Sequence, residues 1–279
     1  AIGSTLLRQQ RFYRGASELL YARGAVRDAL EVLSTDIRGL SAADTVRLAA
    51  DSAMEFFAGL GSSVVCQLVS PVEIGLPGVA GARGNTMTAM LTQPDTGDLA
   101  VFYHAATPDA TGTWERARVS AFASRAAGVG CPDPSGLASG TGAKAFVVTL
   151  AAPLTYGVAR GTPVRFVRRG RYSLYKASDG EWYLGYRRCN ALGPSICGSI
   201  QPLSGPYKAY SANPQRTGLL FEYFDAAGGR IGAGPPALAL ARVDVTARAE
   251  SRQQISLERG FSRPADSATI SVALRNRLP

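Results

Sequence analysis

Histidine is almost missing from this chain: His104 is the one example in 279 residues. The four cysteines, Cys66, Cys131, Cys189 and Cys197, include no CxxC pair. Together these counts leave no Cys/His zinc site. A serine triad would have to use His104, at the end of the stretch "LAVFYHAA", and no serine stands in a GxSxG elbow. "SGTGAKAF" places Ala143 between Gly142 and Lys144, so it is not a GxxxxGK[ST] phosphate loop. "GLPGVAGARG" contains Pro77 and has no acidic partner of the kind a dinucleotide fingerprint needs. The acidic residues Asp51, Glu55 and Asp98 are scattered, and no DxDxDG calcium loop occurs. The sequence is therefore expected to hold no catalytic site, no metal and no cofactor, and the chain is not expected to be an enzyme.

Long apolar runs are lacking too. The longest, Ala145 to Leu154, is about half of the roughly 20 residues that cross a bilayer. Lysine occurs only at Lys144, Lys176 and Lys208, so arginine supplies 27 of the 30 basic residues in a chain of net charge +9. Arginine suits carboxylate and phosphate partners, but a GC-rich coding sequence gives the same bias with no selection on charge.

What is present reads as globular: 46% of residues are hydrophobic, the mean hydropathy is +0.02, and the length suffices for a large core. An even number of scattered cysteines without metal-ligand spacing points to disulfides and an oxidising compartment. Of three pairings, Cys189 with Cys197 is favoured because they bracket the short loop "NALGPSI", and Cys66 with Cys131 follows by elimination.

"LLRQQRFYRGASELLYARGAVRDALEVLSTDIRGL", Leu6 to Leu40, has no proline and reads as one long helix. Leu19, Val26, Leu33 and Leu40 recur every seven residues, with Leu30 and Ile37 on the neighbouring line, which defines a packing face in its second half. The first half is a polar shaft in which Arg8, Gln9, Gln10, Arg11 and Arg14 surround Phe12 and Tyr13. Gly15 and Gly24 cost about 1 kcal/mol each against alanine, and Gly39 is the expected C-cap.

From about residue 45 the pattern turns to short strands between Gly, Pro, Asp and Ser clusters. Candidates are residues 53–57, 63–69, 99–105, 145–150, 163–168, 171–177, 181–188, 219–224, 239–249 and 268–275. In "RYSLYKASDGEWYLGYRR", Asp179-Gly180 predicts a type I′ turn. That turn sets Ala177 opposite Trp182 and puts Tyr175, Trp182, Leu184 and Tyr186 on one inward face. A second hairpin is expected at "FEYFDAAGGRI". The closing "ATISVALRNR" alternates Ile270, Val272 and Leu274 against Ser271, Ala273 and Arg275. Residues 75–85 and 128–142 read as long loops.

The helix stretch quoted above, then "ADSAMEFFAGLGSSVVC", "DLAVFYHAATPDATGTWERARV" and "ATISVALRNR", is similar to the larger minor pilins of the type IV pilin and type II secretion pseudopilin superfamily. The resemblance implies a pilin-like α+β fold, a long N-terminal helix over residues 1–41 packed on the antiparallel sheet of a β-rich head over residues 42–279. It implies a non-enzymatic structural subunit of an extracytoplasmic filament or other membrane-anchored assembly, whose partners are pilin-like subunits or a membrane protein complex. It also implies a periplasmic or cell-surface location, held at the inner membrane by an apolar helix upstream of "AIGSTLL".

One other feature suits a ligand. Arg165, Arg168, Arg169, Arg171, Arg187 and Arg188 crowd the base of one hairpin with Tyr172, Tyr175 and Tyr186 between them. Basic groups interleaved with stacking platforms bind single-stranded nucleic acid or acidic glycans, so an anion-binding module, with nucleic acid as a candidate partner, is the alternative function. A solvated sheet face reads the same residues without a ligand.

Overall fold

The structure, a computed structural model, describes residues 2–40, 46–79, 87–105, 112–126, 128, 131, 144–232, 239–257 and 260–274, and the side chains of residues 2–8, 11, 255–257 and 260–261 lie outside this description. The leading segment is one unbroken helix, α1 (Ile2–Arg38). At 1.5 Å per residue it is about 55 Å long. Gly39 does not take the left-handed cap conformation. Instead the last turn tightens, and Leu40 N–H donates to the Ile37 carbonyl at 3.0 Å, which satisfies one of the terminal carbonyls without a positive φ.

The strands are β1 (Leu48–Ala49), β2 (Ala53–Val64), β3 (Gln67–Ser70), β4 (Glu73–Leu76), β5 (Ala89–Met90), β6 (Leu99–His104), β7 (Thr113–Ala126), β8 (Lys144–Leu150), β9 (Pro163–Lys176), β10 (Trp182–Arg188), β11 (Gln201–Tyr207), β12 (Leu219–Phe224), β13 (Arg230–Ile231), β14 (Arg242–Glu250), β15 (Ile255–Leu257), β16 (Gly260–Ser262) and β17 (Ala265–Ala273). Fifteen of them belong to one sheet, whose main path runs β13-β12-β14-β11-β10-β9-β6-β7-β8-β4-β3. Strand takes 49% of the chain and helix 14%. This overturns the expected pilin-like α+β fold: the protein is a mainly antiparallel β-structure in which α1 is the one long helix among the described residues, and a sheet of this extent is not the sheet of a pilin head. The expectation failed because much of the sheet does not alternate. β7 is exposed or half-exposed along nearly its whole length, and β11 carries two prolines and a glycine, so neither keeps a period-two signature along its full length.

The chain forms two compact units. The first comprises residues 1–57, 170–188 and 197–279. Here β14 pairs with β12, Leu219 opposite Ala247 through Phe224 opposite Arg242, and on its other side with β17, Glu250 opposite Ala265 through Arg242 opposite Ala273. The helix packs on β17, β14 and β11. Leu33, Ile37, Phe56, Phe221, Val243 and Val245 are fully or almost fully buried. The second unit comprises residues 58–169 and 189–196. Its core joins Leu60, Val65, Ile74, Leu76, Phe102, Val148 and Phe166 among others.

Two strands expected on either side of Gly170 are one, β9. Gly170 makes room rather than a break: the Tyr186 ring lies over it from β10, and a Cβ there would come within 2.5 Å of that ring. The β9–β10 turn also differs from expectation. Ala177 N–H donates to the Glu181 carbonyl at 2.9 Å, and Gly180 has φ +86°, so the loop is three residues with glycine in the left-handed position. Trp182 therefore faces Lys176 instead of Ala177. That one-residue slip moves Tyr175 to the opposite face from Trp182, Leu184 and Tyr186, where it neighbours Tyr183. The hairpin at "FEYFDAAGGRI" forms as β12–β13. Of the two expected long loops, Gly75 and Leu76 lie in β4, while residues 80–86, 129–130 and 132–142 lie outside the described residues.

Candidate functional site

The packing residues of α1 change character along its length. Val26, Leu33, Ile37 and Leu40 are buried, Leu19 and Leu30 are half-buried, and Ala22, Ala25 and Ala29 complete the inward face. Two tyrosines tether this half. Tyr207, on β11, donates its hydroxyl to the Ala25 carbonyl at 2.6 Å. Tyr172, on β9, donates to the Asp36 carboxylate. Burial pushes the Asp36 carboxyl above the usual carboxylate range despite that hydrogen bond. Burial and the neighbouring Asp36 charge push the Tyr172 phenol far up, so it stays a neutral donor at any ordinary pH.

The front half presents apolar surface. Phe12, Tyr13, Leu20 and Tyr21 are 71%, 69%, 66% and 76% exposed. Leu20, Tyr21, Ser17 and Gly24 border a groove of about 580 Å³ whose other wall is Leu203 and Ser204 of β11. On the other side of Tyr21 a cleft of about 430 Å³ lies between α1 and Pro206, Glu250 and Arg252. Sequence reasoning missed Leu20, Tyr21 and Leu203. The first two stand beside the heptad line of Leu19 and Val26, and that offset was the available signal.

The arginines expected to form an anion site are largely committed within the protein. In the second unit, Arg168 donates from Nε and Nη2 to the two Asp98 carboxylate oxygens at 2.9 and 2.7 Å, and Asp98 is buried. Arg169, also buried, donates from Nη1 to the carbonyls of Asn190 and Gly193, both at 3.1 Å. Arg165 is half-exposed and sits opposite Val101. In the first unit, Arg171 donates to the fully buried Glu55 through Nε at 2.8 Å and Nη2 at 2.6 Å. Arg187 and Arg188 are half-exposed and lie opposite Arg171 and Gly170. Tyr172 and Tyr186 stack with Phe56 as a packed aromatic row instead of an open platform.

Asp51, the third scattered acid, is exposed and accepts from Tyr210 at 3.2 Å. His104 Nε2 lies 3.1 Å from Glu115 Oε2. Partial burial of Glu115 opposes its ionisation, but backbone N–H donors from Thr155 and Tyr156 and the His104 contact outweigh it and hold the carboxyl below its ordinary range. Gly142 and Ala143 of "SGTGAKAF" lie outside the described residues, and Lys144 opens β8.

Cys66 and Cys131 form a disulfide, buried beside Ala145. Cys189 and Cys197 are also disulfide-bonded, and no cysteine is free. No thiolate is left for a metal or for nucleophilic attack. Two disulfides indicate an oxidising compartment outside the cytoplasm. Among the described residues no helix is long and apolar enough to cross a membrane. No protein-family model matches the chain, and no curated protein or solved structure is significantly similar to it.

Proposed function

We propose that this chain is a non-enzymatic structural subunit of an extracytoplasmic assembly, and that the front of α1 is the surface by which it joins its neighbours. The observation that carries this reading is the outward set of Phe12, Tyr13, Leu20 and Tyr21 on a helix whose later turns are buried and tethered. Large aromatic and aliphatic side chains left in water are common anchors of a protein interface. Kinship with type IV pilins and pseudopilins enters the proposal through the leading helix alone. Periplasmic or cell-surface placement, with the assembly held at the inner membrane, is its finer part. The anion-binding alternative draws less support, since Arg168, Arg169 and Arg171 already spend donors on buried partners.

The test is a four-fold variant, Phe12→Ser, Tyr13→Ser, Leu20→Ser and Tyr21→Ser, expressed as the full gene product in its own cell envelope. All four sites are exposed, so its melting temperature is expected to match wild type. Wild type is expected to sediment in a high-mass complex from solubilised envelopes, and the variant is expected to lose it. A wild-type protein that sediments as a lone chain, or a variant that keeps the complex, overturns the proposal.

A further inference from the structure

β17 is a sheet edge. One side pairs residue for residue with β14 across nine positions, without a bulge, and β14 is its sole strand partner among the described residues. The other side offers backbone N–H and C=O groups in alternation, which is a template for another strand. Edges this long are ordinarily guarded by lysine, proline or a bulge. "ADSATISVA" contains none of these, and its one charge, Asp266, lies 3.6 Å from Arg23 of α1.

We infer that β17 is an interface for a second copy of this chain, the two strands pairing antiparallel about Thr269 so that the sheet runs from one protomer into the other. The strand is self-complementary in that register. Ser267 of one copy meets Ser271 of the other, Ala265 meets Ala273, Ala268 meets Ile270, Asp266, which keeps its own Arg23, meets Val272, and Thr269 meets itself. No pair sets like charges together and no side chain is too large for a neighbouring strand. On the helix side, α1 from Arg23 to Ser34 and the even-numbered residues of β17 border a groove of about 390 Å³. Its apolar part is Val26, Leu30, Ala268 and Ile270, and an added strand brings a second Ala268 and Ile270 beside it.

Charge selects a copy over an unrelated strand. Arg23 marks the level of Asp266 along the helix. Three strand residues, about 10 Å, separate Asp266 from Thr269, and that rise equals about seven helical residues, so the two-fold passes near Leu30. Arg27 and Glu31 are both exposed on the flank that borders the groove and straddle that level. In an antiparallel copy their order reverses, and Arg27 of each protomer faces Glu31 of the other.

The inference deepens the proposed assembly role by naming one partner, and it uses a different surface, so the two fail separately. The experiment measures the mass of the full chain by sedimentation over a range of concentrations. Wild type is expected to dimerise. Ser267→Lys with Ser271→Lys, both exposed, opposes lysine to lysine at two symmetric places and is expected to weaken the dimer about tenfold or more without lowering the melting temperature of the monomer. Ser267→Glu with Ser271→Glu is expected to do the same alone, and an equimolar mixture of the two variants is expected to restore the dimer. A wild-type monomer at every concentration, variants that dimerise like wild type, or a mixture that stays monomeric overturns the inference. So does a dimer lost only in the Phe12/Tyr13/Leu20/Tyr21 variant.

Discussion

Arg168→Met tests whether the arginine-rich strand serves the protein's own interior. Asp98 is 1% exposed and Arg168 is 21% exposed, and two charge-assisted hydrogen bonds join them at 2.7 and 2.9 Å. Methionine keeps most of the apolar stem but removes the guanidinium, leaving a buried carboxylate without its bidentate cation. Breaking a buried pair from one side costs about 3 kcal/mol or somewhat more. For a chain of this size that corresponds to a fall in melting temperature of about 6–12 °C. The companion variant Arg168→Met/Asp98→Asn removes the charge from both sides. Its side-chain carbonyl still accepts the Asp95 N–H that Asp98 accepts at 2.8 Å, so its loss is expected to be about 1 kcal/mol. Differential scanning calorimetry of the two variants against wild type gives both numbers. A single variant that melts within about 2 °C of wild type, or a double variant no better than the single, refutes the argument that Arg168 neutralises Asp98.

Asp36 carries a pH signature of known sign. Its carboxyl is raised by burial, so the folded state holds that proton more tightly than the unfolded chain, and ionised Asp36 opposes folding. Asp36→Asn, which still accepts from Tyr172, is expected to melt higher than wild type at neutral pH. The gain is expected to fade as pH falls through the raised pKa and to vanish below the ordinary aspartate value; a gain independent of pH would contradict this. Cys66→Ala with Cys131→Ala opens a bridge between residues 65 apart in sequence. The entropy of closing such a loop predicts a loss of about 4 kcal/mol, read by urea denaturation against wild type.

The helix and several strands were legible because each rests on local chemistry. A proline-free run with Leu19, Val26, Leu33 and Leu40 at heptad spacing needs no distant partner to be recognised, and "LLFEYF" is bounded by its own turns. The extent of the sheet was not legible. β7 shows period-two alternation only where it is half-covered, and strand β11 forms in spite of Pro202, Gly205 and Pro206, held by β10 on one side and Tyr207 opposite Ala249 on the other. The arginines were legible as a cluster but not in their role. Arg168 finds its carboxylate 70 residues away and Arg171 finds its own 116 away, and no spacing rule reaches so far.

The β9–β10 turn shows why the local reading and the folded result part at one residue. Asp179-Gly180 fits a two-residue turn on its own terms, yet Asp179 does more than turn the chain. Its carboxylate accepts Glu181 N–H at 3.0 Å and the Tyr183 hydroxyl at 2.6 Å, and Tyr183 in turn accepts from Arg252 at 2.6 Å. Those bonds require Tyr183 on the face where Asp179 and Arg252 can reach it, which is the face Tyr175 shares. A two-residue loop would put Tyr175 with Trp182 instead and break the chain of bonds. The longer turn therefore wins because a contact with Arg252, 69 residues on, outweighs a preference that spans two.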